Sequence, residues 1–358
     1  MLSFPLQNLV VSTTPLSNSW KKHPLSPING SFPFPKASTC SKSYPNATFP
    51  CSLISSPLAK QKASSNVYSL LWASSQDSIR QREEEEEEED EEYQVLTAVR
   101  SKYNDIVIVD TPKARMLLLD STHNVHSILN KGQKWTGSYW DEFASLPAVI
   151  PKGPIAILGL GGGTAAHLML DLWPSLQLEG WEIDPILIDK ARQHFGLSDL
   201  EKHNIAGGLL NVHIGDALCP SENDSGRYAG IVIDLFYEGK VLAQLQEVET
   251  WLKLSDRLMP NGRFMVNCGG IYEKSDTTNG IIHPKLVDAT WAENTTIKAL
   301  SEAFPGQVSW KRMPETQGAN YLALTGPFPD LTLWSCKVPD PLCQTVRQWR
   351  PCASASVL

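Results

Sequence analysis

The chain has 358 residues and a formal net charge of −8, but ten consecutive acidic residues at 83–92 set that sign; without them the charge would be +2. No basic cluster is present that would indicate a nucleic-acid partner, and no apolar stretch has the length of a membrane span. The seven cysteines form no CxxC pair and have no histidine at zinc spacing, so we expect no metal site.

The first quarter of the chain has the composition of a targeting segment. Residues 1–76 contain no Asp, Glu or Arg and are rich in Ser and Pro, which is typical of an organelle transit peptide. The absence of Arg favours the chloroplast over the mitochondrion; a generic disordered tail is the alternative. Residues 77–92 read as an acidic linker, because such runs repel themselves and remain disordered.

A small β domain with a linking helix is predicted for residues 93–150. Its β-type runs lie at 93–99, 105–110, 115–120 and 125–129 and are separated by turn residues, as in an antiparallel sheet. A helix over 138–146 follows, and Pro151 and Pro154 mark the domain boundary.

Residues 151–328 alternate strands and helices, which predicts an α/β fold with a doubly wound, seven-stranded Rossmann-like sheet. The predicted strands are 155–160, 178–183, 209–214, 229–235, 262–267, 307–312 and 319–325. The predicted helices are 164–173, 185–195, 240–258 and 287–303. The last two strands form a hairpin-like pair.

Two segments lack a regular pattern. Residues 269–286 are predicted to be either a mobile flap or a plain loop. Residues 329–358 are predicted to be a C-terminal tail, whose cysteines are free thiols or form a redox disulfide.

A glycine-rich turn points to a cofactor. The strand Ile155–Leu158 breaks into Gly159-Leu-Gly161-Gly162-Gly163-Thr164 before a helix begins. Glycines let the backbone turn sharply and approach a ligand that faces the helix N-terminus. Glu182 closes the next strand 21 residues after Gly161, where such folds bind ribose hydroxyls. The pattern therefore predicts a nucleoside-type cofactor.

Two groups of motifs together resemble the spermidine synthase family, a branch of the class I S-adenosylmethionine-dependent methyltransferase fold. The motifs are Ser101–Val107, Leu117–Asp120 and Tyr139–Pro147 in the small domain, and Ile157–Thr164, Trp181–Pro185, Val212–Ala217, Ile231–Asp234, Leu258–Gly262 and Asn320–Leu324 in the core. A final antiparallel strand is also typical of methyltransferases. The resemblance implies S-adenosylmethionine as cofactor, a small-molecule acceptor, and a homodimer.

The resemblance also implies roles for individual residues. The glycine loop would pass beneath the amino-acid moiety and ribose, Glu182 would hold the ribose, and Asp234 would face the reacting centre. The implied cofactor residues are Gly159, Gly161, Gly162, Gly163, Thr164, Glu182, Ile183, Asp216, Ala217 and Asp234, and the implied substrate residues are Tyr103, Asn104, Tyr139 and Asp141. The alternatives are a surface position for Glu182 and a turn or helix cap for Asp216.

Two departures from the family pattern bear on the activity. The family's Asp-Ser-Ser-Asp-Pro motif reads Asp234-Leu-Phe-Tyr237-Glu238-Gly here, so only its first carboxylate is in register. Thr164 stands where aminopropyltransferases have an Asp that pairs with the amine of decarboxylated S-adenosylmethionine. An Asp there would repel the carboxylate of the intact cofactor by on the order of a few kcal/mol. Thr164 therefore favours intact S-adenosylmethionine.

The leading hypothesis is a methyltransferase that acts on an unidentified small molecule. Methyl transfer mainly requires positioning and, where needed, a proton acceptor; the predicted catalytic residues are Asp234, Tyr237 and Glu238. A polyamine aminopropyltransferase in which Glu238 replaces the shifted Asp, and a non-catalytic binding module, are the alternatives.

Overall fold

Two large β-sheets, connected by a short helix, organise the described part of the chain. The computed structural model describes residues 60–62, 92–120, 122, 124–219, 227–273, 285–286 and 290–352. Among these residues, no helix is both long enough and apolar enough to cross a membrane.

The smaller sheet is antiparallel and has its five strands in chain order. The strands are β1 (Lys60–Lys62), β2 (Glu92–Arg100), β3 (Asp105–Asp110), β4 (Ala114–Leu118) and β5 (Ser127–Asn130). β1 was not expected, because it falls inside the predicted transit peptide. It pairs with the start of β2, with Lys62 opposite Glu92. The remainder of 1–91 lies outside the described residues, so the transit peptide and acidic linker stay predictions there.

The larger sheet has eight strands in the order β17-β15-β16-β12-β9-β6-β7-β8. Its strands are β6 (Ile155–Leu158), β7 (Gln177–Glu182), β8 (Leu209–Ile214), β9 (Tyr228–Ile233), β12 (Leu258–Asn267), β15 (Val308–Arg312), β16 (Tyr321–Thr325) and β17 (Arg350–Pro351). β8, β7, β6, β9 and β12 are parallel, whereas β16 runs antiparallel to β12 and β15. All seven predicted strands are present, and the predicted fold class is confirmed.

Short strand pairs and helices complete the fold. The strand pairs are β10 (Phe236–Tyr237) with β11 (Lys240–Val241) and β13 (Tyr272–Glu273) with β14 (Lys285–Leu286). The α-helices are α1 (Tyr139–Phe143), α2 (Thr164–Leu172), α3 (Pro185–His194), α4 (Leu197–Leu200), α5 (Val248–Ser255), α6 (Thr295–Ala303), α7 (Leu331–Ser335) and α8 (Leu342–Thr345). Short 3-10 helices cover Leu146–Val149, Ala243–Gln246, Trp291–Glu293, Glu315–Gln317 and Val346–Gln348.

Burial explains why the centre of the large sheet is so apolar. Every residue of β6 and β9 is buried, as expected for parallel strands covered on both faces. The helices that cover the sheet begin at side-chain caps: the Asp184 carboxylate accepts the N–H groups of Ile186 and Leu187 at the start of α3, and Asn294 caps α6 in the same way.

The predicted helix over 240–258 is only partly correct. Its first part is instead the β10–β11 hairpin, because Glu238 and Gly239 have φ angles of 49° and 71°. Two successive residues with positive φ form the tight turn that connects hairpin strands of natural twist. The helical part is limited to α5 and the 3-10 turn before it. The linking helix is also shorter than predicted, and residues 272–273 and 285–286 of the expected loop pair as strands.

The C-terminal segment is not a tail, which corrects the predicted domain division. β17 extends the large sheet beside β15, and the indole rings of Trp334 and Trp349 are buried with centroids 5.9 Å apart. Residues 331–351 are therefore part of the core. Cys336, Cys343 and Cys352 are free thiols.

Candidate active site

The glycine loop lies directly against the end of β9. Gly159 has a φ of +89°, and a Cβ at this position would be 2.3 Å from the carbonyl oxygen of Asp234. Gly161 also has a positive φ, of +55°. The close approach at Gly159 leaves no room for a side chain, and both conformations favour glycine, so the loop brings α2 and the Asp234 strand end to one edge of the sheet.

Glu182 is buried beside this loop. Its Oε2 accepts the Gly161 N–H at 3.0 Å, and its Oε1 accepts the N–H groups of Ile183 and Asp184 at 3.0 and 3.2 Å. Burial raises the pKa of Glu182, whereas the backbone hydrogen bonds oppose that rise. The side chain is 9% exposed, so the alternative of a surface carboxylate is wrong. Ile183, which follows it, is 40% exposed and offers an apolar surface at the strand end.

Thr164 connects α2 to the small sheet. Its hydroxyl accepts the Ile128 N–H at 2.9 Å and donates to the Ile128 carbonyl at 3.0 Å. The neighbouring Ser127 hydroxyl accepts the Gly162 N–H at 2.7 Å. Uncharged hydroxyl and backbone groups therefore hold the glycine loop against β5. The side chain at position 164 adds no negative charge to the loop.

Asp234 is the carboxylate at the centre of the site. Oδ2 accepts the Tyr139 hydroxyl at 3.0 Å, and Oδ1 accepts the Asn267 amide at 2.9 Å. Desolvation raises the pKa of Asp234 to about 6, and these two hydrogen bonds reduce the rise. A carboxylate with this pKa can accept a proton near neutral pH. Burial also raises the pKa of Tyr139 well above its usual value, so Tyr139 remains a donor.

A cavity of about 10 Å³, room for about one water molecule, lies between the glycine loop and Asp234. Gly159, Thr164, Trp140 and His126 are among the residues that line it. The Nε2 atom of His126 is 3.5 Å from Oδ2 of Asp120. Burial acts to raise the pKa of Asp120, but contacts with His126 and Thr122 lower it to about 2. Asp120 is therefore ionised at neutral pH and orients the imidazole.

The predicted adenine-side residues lie at the end of β8. Asp216 is exposed, and its Oδ1 accepts the Leu218 N–H at 2.9 Å, which is the turn-cap contact foreseen as the alternative. Ala217 is buried, and its carbonyl accepts a hydrogen bond from Arg257 at 2.8 Å. Contact of Asp216 and Ala217 with adenine stays a prediction.

The structure does not place Tyr237 and Glu238 beside Asp234 as catalytic partners. Tyr237 is 60% exposed. Glu238 is exposed and occupies the turn of the β10–β11 hairpin with a positive φ. In this hairpin Phe236 lies opposite Val241. The Glu238 carboxylate, one position later than the second Asp of the family motif, is therefore at the hairpin tip. Substitution of the missing family Asp by Glu238 is therefore not supported by this geometry.

The predicted substrate-side residues divide into different environments. Tyr139 contacts Asp234, as described above. The Asn104 amide donates to Asp184 at 2.9 Å, and Tyr103 is 36% exposed. The Asp141 carboxylate accepts three hydrogen bonds from Thr136 and Gly137 in its own loop. Contact of Tyr103, Asn104 and Asp141 with a substrate stays a prediction.

Three residues of the site were missed from the sequence: His126, Ser127 and Asn267. Asn267 is the last residue of β12, so it carries the same signal as Asp234, a polar residue where a buried parallel strand ends. Ser127 begins β5 and His126 directly precedes it, and no local sequence pattern indicated that this edge of the small sheet contacts the glycine loop.

No protein-family model matches the chain. Over 196 residues it is 24% identical to the "Probable polyamine aminopropyl transferase" of Bifidobacterium longum (strain NCC 2705). That match covers 54% of this chain and 42% of the relative, so the chain spans less than half of the relative's length.

Solved structures with a similar chain course include a probable spermidine synthase from Corynebacterium glutamicum ATCC 13032 and human methyltransferase-like protein 13 in complex with SAH. The first has a TM-score of 0.48 and 17% identity, covering 67% of this chain and 86% of that chain. The second has a TM-score of 0.40 and 19% identity, covering 62% and 97%.

The strand order and the antiparallel β16 define a Rossmann-like methyltransferase sheet. With the small antiparallel sheet before it, the described part of the chain has a mixed α/β fold of two large sheets.

Proposed function

We propose that this chain is an S-adenosylmethionine-dependent methyltransferase with Asp234 as the proton acceptor. The observation that carries the proposal is the charge of the glycine-loop cavity. Among the described residues that line it, Asp234 is the only carboxylate, and Thr164 and His126 stand close to the loop. A neutral hydroxyl and an imidazole are compatible with the carboxylate of the intact cofactor, which a second acid would repel.

Residues at the same edge of the sheet would make the remaining contacts with the cofactor. Glu182 would accept a hydrogen bond from a ribose hydroxyl, because a carboxylate has about four acceptor positions and three backbone N–H groups use three of them, which leaves one. Ile183 would pack against the adenine ring, since its side chain is exposed next to Glu182.

Methyl transfer then needs few groups from the protein. When bound, S-adenosylmethionine would supply a methyl group activated by its sulfonium, which would pass to a lone pair of the acceptor while the electron pair of the broken bond stays on sulfur. The proton that the acceptor loses passes to Asp234, whose pKa of about 6 makes it an available base at neutral pH. Tyr139 and Asn267 hold that carboxylate in place.

Aminopropyl transfer is the second candidate, and the similarity to the Bifidobacterium protein named as a polyamine aminopropyl transferase favours it. That reaction requires carboxylates that bind a cationic diamine. The exposed hairpin-tip position of Glu238 leaves Asp234 without a second carboxylate from the shifted motif.

Cofactor preference tests the proposal. Calorimetry should show that the full chain binds S-adenosylmethionine at least tenfold more tightly than its decarboxylated form. Thr164→Asp should reverse that preference, because it adds the charge that pairs with the free amine. Thr164→Val is the matched control, since it removes the hydroxyl without adding charge and should not reverse it. Tighter binding of the decarboxylated form by the wild type, with spermidine formed from putrescine, would establish the second candidate instead.

Turnover separates an enzyme from a binding module. The protein should transfer a labelled methyl group from S-adenosylmethionine to a component of a small-molecule extract, and Asp234→Asn should abolish the transfer. Cofactor binding without any transfer would indicate the non-catalytic alternative.

A further inference from the structure

A second and larger cavity, of about 260 Å³, lies at the same edge of the sheet. One wall is the β10–β11 hairpin, which follows Asp234, and another is the backbone of residues 268–271, which follows Asn267. Asn267, which directly precedes the second wall, donates a hydrogen bond to Asp234, so the candidate base is next to the cavity in the fold without being one of its lining residues. In open α/β sheets ligands bind outside the carboxyl ends of the strands, and this cavity has that position.

Two apolar side chains of the hairpin, Phe236 and Val241, line the cavity beside Gly269. A Cβ on Gly269, which has a φ of +68°, would meet Val241 at 3.1 Å and Phe236 at 3.5 Å. The glycine thus allows the hairpin to pack closely over the end of β12. Phe236 and Val241 supply an apolar wall against which a flat ring can pack.

Two buried asparagines on this cavity differ in their hydrogen bonding. The Asn294 amide donates to the Cys268 carbonyl at 2.9 Å and its oxygen caps α6. Asn320 lines the cavity and is 1% exposed, but neither its Nδ2 nor its Oδ1 has a hydrogen-bond partner among the described residues. A buried amide without partners costs about 1–3 kcal/mol for each unpaired group.

The charged side chains on this cavity carry opposite charges and are exposed to solvent. Among the described residues that line it, the charged ones are Lys240 and Glu293, and both are exposed. One positive and one negative group at the rim do not provide the paired carboxylates that a diamine dication requires. An uncharged occupant is therefore favoured over a polyamine.

We propose that this cavity binds the methyl acceptor, and that the acceptor is an uncharged, flat molecule with a donor and an acceptor side by side, as in a carboxamide or a lactam. Such an edge would pair with both the Oδ1 and the Nδ2 of Asn320, while its ring packs against Phe236 and Val241. This inference rests on the proposed methyl transfer, and it assigns Asn320 as the residue that selects the acceptor class.

Binding of 2-pyridone and nicotinamide to the full chain, measured by calorimetry and ligand-observed NMR in the presence of S-adenosylhomocysteine, tests the inference. Both probes should bind, and Asn320→Leu should weaken them at least tenfold. Gln244→Leu is the matched control, because Gln244 is an exposed amide of the 3-10 helix Ala243–Gln246 that is not among the described residues lining the cavity, and it should change affinity less than threefold. Absence of probe binding, equal effects of the two variants, or stronger binding of putrescine than of either probe would overturn the proposal.

Thermal unfolding of the same variants supplies a second readout. Asn320→Leu should leave the Tm unchanged or raise it, since it replaces a buried amide that lacks partners. A marked fall in Tm would show that the amide has a structural partner and would overturn the assignment. Failure of the proposed function is distinguishable, because it appears as absence of S-adenosylhomocysteine binding, whereas failure of this inference appears with that binding intact.

Discussion

The Tyr139 hydroxyl donates to Oδ2 of Asp234 over 3.0 Å, across 95 positions of the chain. Tyr139 begins the helix that leaves the small sheet, and Asp234 follows the central strand β9 of the large one. The two sheets are thereby coupled at the group that we propose accepts the proton. The ring of Tyr139 is fixed by aromatic packing, with centroids 4.6 Å from Trp140 and 5.6 Å from Phe143.

Tyr139→Phe should move the pH profile of methyl transfer to higher pH. Desolvation raises the pKa of Asp234 to about 6, and the Tyr139 hydrogen bond is one of the contacts that hold it down. Loss of that donor therefore raises the pKa further, and the rate should reach half its maximum at a higher pH. Tyr237→Phe is the matched control, because Tyr237 is 60% exposed. An unchanged midpoint in Tyr139→Phe would contradict the role given to Asp234.

Asp234→Asn should abolish transfer and yet stabilise the fold at neutral pH. The folded pKa of about 6 lies above the ordinary value of 3.8. Below pH 4 the carboxyl is protonated in both the folded and unfolded states, so it imposes no ionisation cost. Between about pH 4 and pH 6 the unfolded state ionises while the folded state keeps its proton, so the folded state loses on the order of 2–3 kcal/mol of stability, and the full loss is present above pH 6.

The measurement is the free energy of unfolding of wild type and Asp234→Asn at several pH values. The free energy of unfolding of the variant should increase relative to that of the wild type between pH 4 and pH 7, and the variant should still bind S-adenosylhomocysteine. A difference that does not vary with pH would show that Asp234 has an ordinary pKa.

Glu182→Gln should weaken cofactor binding at least tenfold. Both carboxylate oxygens accept backbone N–H groups, from Gly161 on one side and from Ile183 and Asp184 on the other. An amide nitrogen at either position would point a donor at another donor, so the glycine loop would move away. Calorimetry with S-adenosylhomocysteine measures the loss. Asp189→Asn is a control with the same chemistry at an exposed position on α3, and it should bind as the wild type does.

Lys311 and Glu142 form a buried ion pair that fixes α1 against β15. Nζ and Oε1 are 2.6 Å apart, with the two side chains 1% and 2% exposed. Burial lowers the pKa of Lys311, and Glu142 opposes that shift. Lys311→Met should reduce the free energy of unfolding by about 3–5 kcal/mol, because it leaves a buried carboxylate uncompensated.

The double variant Lys311→Met with Glu142→Leu tests the cause. It should be more stable than Lys311→Met alone, since the unpaired charge is gone. Denaturant unfolding of the two single variants and the double variant gives the coupling energy. Additive losses would show that the two side chains do not stabilise each other.

Local sequence signals predicted the fold and the glycine turn well. Gly159 and Glu182 stand at strand ends within one βαβ unit, so their proximity follows from spacing alone. The site residues that sequence reasoning missed meet over long separations. Ser127 contacts Gly162 and Asn267 contacts Asp234 through the packing of separate elements, which no short-range pattern encodes. Glu238 was misjudged because a type of turn, set by two positive φ angles, decides where its side chain points.

The C-terminal segment gives the last prediction. Its sequence lacks a regular hydrophobic period, so it is predicted to be a tail. Its tryptophans are nevertheless buried, and Trp334 also makes a hydrogen bond. Trp334 is 1% exposed, and its indole N–H donates to the Ser145 carbonyl at 3.0 Å, beside α1. Trp334→Ala should therefore lower the free energy of unfolding by about 3–5 kcal/mol and also loosen the helix that carries Tyr139. Leu333→Ala is the matched control, because Leu333 is the adjacent residue and is 60% exposed. Denaturant unfolding should separate the two variants by at least 2 kcal/mol, whereas similar losses would mean that residues 331–351 are dispensable for the core.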